Sequence, residues 1–244
     1  MFVKTYNLTD DPDITLTAYI PDISGEMNNM KIKPSVLVLP GGAYKFCSDR
    51  EAEPIALAYL AKGFNAFVLR YSLNEKSAFP TPLNDASTAL KFIRDNASEF
   101  CTDPQKIAVI GFSAGGHLAA ALSTMPEDKP NACILGYPCI LSSTSPILAS
   151  PVESITDYVT DKTPPTFIFA ASNDGTVPIE NSLSYAEALS RNGISFELHV
   201  FEDGGHGFSL GIDVVCSTKE SQESCKPNAY WVDRSAQWLK KLFS

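Results

Sequence analysis

Long apolar runs are missing from this sequence. No window of its 244 residues approaches the ~18 consecutive apolar residues of a membrane-spanning helix. Basic residues are scarce: 19 Lys and Arg face 28 Asp and Glu, a formal charge of −9. Such a surface repels nucleic acid and anionic lipid, which excludes both as partners. The N-terminus has no basic segment followed by an apolar stretch, so no export signal is read and the chain is expected to be cytoplasmic. The six cysteines contain no C-x-x-C pair, which leaves no zinc or redox motif and implies reduced thiols. Cys216 and Cys225 flank a polar loop, and only export would favour pairing them. Histidine is the scarcest useful residue, with three copies, so any histidine chemistry has three candidates.

What is present is ordinary globular composition, 44% apolar and 19% charged, at a length that one domain can reach. Residues 14–20 alternate apolar and polar and predict a half-exposed strand near a sheet edge. The apolar runs at 35–40, 64–69, 107–110, 132–135 and 166–170 read as strands buried on both faces, and 194–200 alternates as one more. Helical spacing occupies about 51–62, 82–98, 114–123, 179–192 and 229–243, with Gly63 and Gly193 placed as C-terminal caps. Strand–helix alternation with short connections predicts an α/β fold, a mostly parallel, doubly wound sheet of about eight strands flanked by helices. Residues 138–165 break the rhythm with five prolines and many Ser and Thr, and read as a short cap-like insertion in a single domain spanning 1–244.

The strongest motif is Gly111-Phe112-Ser113-Ala114-Gly115, between a buried strand and an Ala-rich helix. A serine at the apex of so tight a turn brings the residues two before and two after it together, where a Cβ would clash. The following helix aims free N–H groups and its positive dipole end at the serine. Ser113 is therefore the candidate nucleophile. Its base comes from three histidines. His117 lies one helical turn further on and points away, and His199 sits inside a predicted strand. His206, in the turn Gly204-Gly205-His206-Gly207 after the last strand, lies beyond the strand ends where sites form in open α/β sheets. Asp174 follows the 166–170 strand and completes the order Ser, Asp, His; Asp203 competes but stands only three residues before His206. Pro40-Gly41-Gly42-Ala43-Tyr44 follows another strand, and the amides of Gly42, Ala43 and Ala114 are candidates for an oxyanion hole.

These motifs resemble the small acetylesterases of the hormone-sensitive-lipase-like branch of the α/β-hydrolases, many described as acetyl xylan esterases or carbohydrate deacetylases. The likeness rests on Pro40 to Tyr44, Arg50-Glu51-Ala52-Glu53, Leu69-Arg70-Tyr71, Asp85, Gly111 to Leu118, Asp174 to Pro178 and Gly204 to Phe208, in the family's order. Two positions depart from the larger relatives, whose loop begins His-Gly-Gly-Gly: Pro40 matches the small variant, and Ala43 is unusual. The resemblance implies an acyl-serine mechanism, a small-molecule ester substrate, short acyl groups, and neither cofactor nor metal. Tyr44, Phe46, Tyr137, Tyr158 and Phe208 fall on loops near the strand ends and are expected to offer flat faces to a sugar ring. A small peptidase or thioesterase on the same fold, and a non-catalytic binding protein on a hydrolase scaffold, remain alternatives. The number of subunits stays open, a homo-oligomer included.

Overall fold

The computed structural model describes residues 1–244. Strands β1 (Phe2–Asn7), β2 (Thr15–Ile20), β3 (Lys33–Leu39), β4 (Asn65–Arg70), β5 (Thr102–Phe112), β6 (Ala132–Gly136), β7 (Thr166–Ala171) and β8 (Phe196–Phe201) form one sheet in the order β1-β2-β4-β3-β5-β6-β7-β8. β1 and β2 pair antiparallel, as do β2 and β4, and every other neighbour is parallel. The helices are α1 (Glu53–Leu60), α2 (Thr81–Asp95), α3 (Ser113–Thr124), α4 (Glu180–Arg191), α5 (Lys219–Cys225) and α6 (Trp231–Leu242).

Side chains divide between the two faces by the two-residue period of a strand. On β3, Leu37 and Leu39 join one core with α2, α3 and α4, while Val36 and Val38 join the other with α1 and α6. On β5, Ile107 and Val109 go to the first layer and Ala108, Ile110 and Phe112 to the second. Both faces are covered, so these strands read as unbroken apolar runs. Gly63 and Gly193 follow α1 and α4 with φ of +92° and +69°, the left-handed conformation in which a helix commonly stops. β1 escapes sequence reading because nearly all of it is exposed and its partner is another edge-side strand. No helix is long and apolar enough to cross a membrane.

Residues 138–165 form two 3-10 turns, Ser142–Ile147 and Ile155–Tyr158. They lie lower than a detached excursion would, because Leu148, Val152, Ile155 and Val159 are buried against the α3 layer. Asn181 at the start of α4 accepts the amides of Ile140 and Leu141, each at 2.9 Å, and Ala149 donates its amide to the Ala43 carbonyl at 2.9 Å. On the opposite face Trp231 of α6 stacks on Phe169, centroids 4.1 Å apart, and donates its indole N–H to the Ser209 carbonyl at 2.9 Å. The loops at the carboxyl end of the sheet are thus anchored from both sides.

Candidate active site

β5 ends in the turn that presents Ser113, whose φ is +53°. A left-handed conformation costs a non-glycine residue roughly 1–3 kcal/mol and persists only where the surroundings fix it. Here the fixing is steric. A Cβ on Gly111 would lie 2.1 Å from the Gly115 carbonyl oxygen, and one on Gly115 would lie 2.2 Å from that of Leu39. Both glycines are required by the approach of three backbones.

The β8 loop brings His206 to this turn. Its Nε2 lies 2.8 Å from Ser113 Oγ and its Nδ1 lies 2.7 Å from Asp174 Oδ2. Asp174 has a fully buried side chain, and its other oxygen accepts the amides of Thr176 at 2.8 Å and Val177 at 2.9 Å. The carboxylate is held by its own turn and keeps one oxygen for the imidazole. Asp203 makes a different bond: it accepts from Asn173 Nδ2 at 3.0 Å, while the Asn173 oxygen takes the Gly205 amide at 2.9 Å. Asp203 therefore shapes the loop and forms no hydrogen bond with His206.

The other histidines are occupied elsewhere. His117 is fully buried, with Nδ1 2.9 Å from the Tyr44 hydroxyl and Nε2 3.4 Å from the Glu153 carbonyl. His199 stacks on Phe167 with centroids 4.7 Å apart. Burial depresses His117 to about 4 from the ordinary 6.5, because the imidazolium would lose its water. Its folded value lies below its unfolded value, so its contribution is complete above pH ~6.5 and falls as pH drops toward 4, by about 1.4 kcal/mol per pH unit. Denaturant unfolding at pH 7 and pH 4.5 should accordingly show greater acid sensitivity in the wild type than in His117→Gln. Equal sensitivity would place the acid lability elsewhere.

Gly42, Ala43 and Tyr44 have consecutive positive φ angles of +127°, +57° and +58°. A Cβ on Gly42 would fall 2.0 Å from the Phe46 carbonyl oxygen, so only glycine fits. The Gly42 and Ala43 amides have no acceptor within the chain, and Ala114 lies in the first turn of α3, where helical acceptors do not exist. Gly42 and Ala43 share with Ser113 and His206 a cavity of about 230 Å³, also lined by Phe46, Ile147, Leu148 and Thr176. A larger open cleft of about 570 Å³ meets this cavity only at Phe46 and lies away from the serine.

The aromatic residues expected to contact substrate need correction. Tyr44, Tyr137 and Phe208 are buried: Tyr44 bonds His117, Tyr137 bonds Glu51, and Phe208 packs on Tyr137, Phe169 and Phe201. Tyr158 is 37% exposed but bonds Glu153 and lines no part of the cavity. Phe46, 58% exposed, is the one of the five on the cavity wall. Residue types did not single out Ile147 and Leu148, which the insertion supplies, and the motif that contains Glu51 gave no sign of its burial at the cavity. Cys139 adjoins Ser113, its amide donating to the Ser113 carbonyl at 3.0 Å. Burial pushes its thiol up to about 12, so it stays protonated and unreactive.

A parallel-centred sheet with a serine on its sharpest turn, and histidine and aspartate on two later loops, defines the α/β-hydrolase class. Comparison with known proteins agrees. A family model described as BD-FAE matches residues 22–135, and one described as the prolyl oligopeptidase family matches residues 147–242. The crystal structure of MGS-M1, an alpha/beta hydrolase enzyme from a Medee basin deep-sea metagenome library, is 44% identical with a TM-score of 0.91, covering 99% of this chain and 98% of that one. Endo-1,4-beta-xylanase B of Butyrivibrio fibrisolvens is 34% identical over 226 residues, and an acetylxylan esterase of Xylanibacter ruminicola is 29% identical over 230. These alignments cover 80% and 85% of this chain, which spans 36% and 46% of those two relatives' lengths. The chain belongs to the α/β-hydrolase family, in its hormone-sensitive-lipase-like branch.

Proposed function

We propose that this protein is a serine esterase that hydrolyses short-chain acyl esters, chiefly acetyl esters, with carbohydrates as the alcohol component. The observation that carries the reading is the unbroken path from Asp174 through His206 to Ser113 at the wall of a small cavity. In this mechanism His206 Nε2 takes the Ser113 proton as Oγ attacks the ester carbonyl. Asp174 holds the ring with its proton on Nδ1 and stabilises the imidazolium. The tetrahedral oxygen takes hydrogen bonds from the Ala114 amide and those of Gly42 and Ala43. His206 then protonates the leaving alcohol, and the same imidazole activates water to release the acid. Residues 138–165 act as the short cap of this site.

Two features support the short acyl group. The cavity volume of about 230 Å³ is below the ~300–1,000 Å³ of most ligand pockets. Ile147 and Leu148, supplied by the insertion that packs on the α3 layer, add apolar wall to this small space. The carbohydrate component is supported by the acetylxylan esterase relative and by the exposed ring of Phe46 at the mouth. Each methylene that finds an apolar groove contributes ~0.8 kcal/mol, so a long-groove enzyme improves along an acyl series. Here kcat/KM on aryl esters from acetyl to octanoyl should peak at the short end, alongside acetate release from acetylated xylo-oligosaccharides. A maximum at octanoyl would defeat the short-acyl assignment; acetyl turnover without release from any sugar would remove the carbohydrate component. The match of residues 147–242 to the prolyl oligopeptidase family favours a small peptidase as the second reading. Cleavage of matched amides at rates comparable to the esters would support it.

A further inference from the structure

Glu51 is a carboxylate at the catalytic cavity that the mechanism leaves without a task. It is 3% exposed, at the end of the 3-10 turn Asp49–Glu51 that leads into α1. Burial raises its pKa, and burying a carboxylate is costly unless directed donors replace its water. Two donors do so: Oε2 accepts the Gly41 amide at 2.9 Å, and Oε1 accepts the Tyr137 hydroxyl at 2.6 Å. The Tyr137 oxygen in turn accepts the Ser209 amide at 3.1 Å. Ser209 Oγ returns the connection by donating to the Arg50 carbonyl at 2.5 Å.

The partners sit on three separate loops. Gly41 immediately precedes the two amides assigned to the oxyanion hole. Ser209 lies three residues beyond His206, and the Tyr137 ring packs on the His206 imidazole with centroids 5.1 Å apart. There is no slack between them: a Cβ on Gly41 would lie 2.6 Å from Glu51 Oε2, 2.8 Å from the Phe112 carbonyl oxygen and 3.0 Å from Ser113 Cβ. Arg50 lines the same cavity but forms no ion pair with Glu51, so the carboxylate's two hydrogen-bond donors carry the compensation. We propose that Glu51, acting through Gly41 and Tyr137, is a positioning residue that holds the oxyanion loop and the His206 loop in register with Ser113. This inference rests on the serine-esterase reading above.

The hydrogen-bond inventory explains why the residue must be an acid. Tyr137 has one proton and gives it to residue 51, because its lone pair already receives the Ser209 amide; the Gly41 amide is likewise a donor. Residue 51 must therefore accept twice from two directions. A carboxylate does this, whereas an amide of the same shape offers one acceptor oxygen and sets a donor against another donor. Charge-assisted bonds are also shorter and stronger than neutral ones, which suits a strut between separate loops.

The test compares Glu51→Gln, Tyr137→Phe and the double variant on a short-chain aryl ester, with melting temperatures measured in parallel. Each single variant should lower kcat by about ten- to a hundredfold, the range expected when catalytic groups drift by a fraction of an ångström to an ångström. KM should stay within about threefold, since no substrate contact is lost. The double variant should be no slower than the worse single, because both changes break one path. Tyr137→Phe keeps the ring against His206, so it isolates the hydroxyl even where Glu51→Gln does not fold. Folded variants with wild-type kcat and only a lowered melting temperature would overturn the proposal, as would a rise in KM alone or fully additive losses. Ser113→Ala in the same assay separates the two claims: near-normal turnover there contradicts the esterase reading, whereas a Ser113→Ala protein slowed by roughly 10⁴-fold or more beside unaffected Glu51 and Tyr137 variants contradicts only the strut.

Discussion

Ser113→Ala should lower kcat/KM for a short-chain ester by roughly 10⁴-fold or more while leaving the fold intact. The loss follows from removing the atom that forms the acyl bond, and nothing nearby substitutes for it. Cys139 is the neighbouring nucleophile by position, but its thiol is pushed up to about 12 by burial. What survives is the oxyanion hole and substrate binding, which together sustain only a small residue of catalysis. Folding should be indifferent, since alanine accepts the same φ of +53° about as well as serine and loses no packing volume beyond one hydroxyl, with its bond to His206 and its contact with the Cys139 thiol. A thermal melt close to wild type, beside the collapse in rate, is the expected pair of results. A folded Ser113→Ala protein with near-normal turnover would remove the nucleophile from the account.

Asp174→Asn should be nearly as severe, about 10⁴-fold in kcat, through the tautomer and not through the loop. The asparagine oxygen can keep the Thr176 and Val177 amides, now at 2.8 and 2.9 Å, so the turn survives. Its NH₂ group then faces His206 Nδ1, which must become an acceptor. The ring proton moves to Nε2, the atom that has to receive the Ser113 proton. Asp203→Asn provides the contrast, because that side chain bonds Asn173 and not the imidazole. Its activity should remain within a few-fold of wild type, as for a surface change away from the reacting groups. A mild Asp174→Asn with a severe Asp203→Asn would reverse the assignment of the acid.

The parts of this architecture legible in sequence are those fixed by local pattern. β3 and β5 announce themselves because both faces are covered, and Gly63 and Gly193 because a stop in the left-handed region favours glycine. Ser113, Asp174 and His206 stand out because each follows an apolar run, and the fold gathers the ends of its strands. β1 carries no such pattern, since its stability comes from pairing with β2 and not from a buried face. The aromatic residues show a different limit. A loop position near the strand ends indicates proximity to the site, but not whether another loop lies above it. Tyr44 is buried against His117 and Tyr71, and Tyr137 and Phe208 pack on each other, so their rings serve the scaffold. Glu51 stands in the Arg50-Glu51-Ala52-Glu53 motif, but its role is hidden for the same reason. An acidic residue leading into a helix reads as a solvated side chain, and its burial exists only once the 41, 137 and 209 segments, far apart in sequence, have closed around it.

The most direct test of the central claim is to trap the covalent intermediate. The protein is mixed with p-nitrophenyl acetate, quenched in acid before the first turnovers are complete, digested, and its peptides weighed. The account predicts an acetyl group on the peptide that contains Ser113, appearing with the nitrophenol burst, lost as turnover finishes, and absent from Ser113→Ala. Steady ester hydrolysis with no acetylated peptide, or with the acetyl group on any other residue, would contradict it.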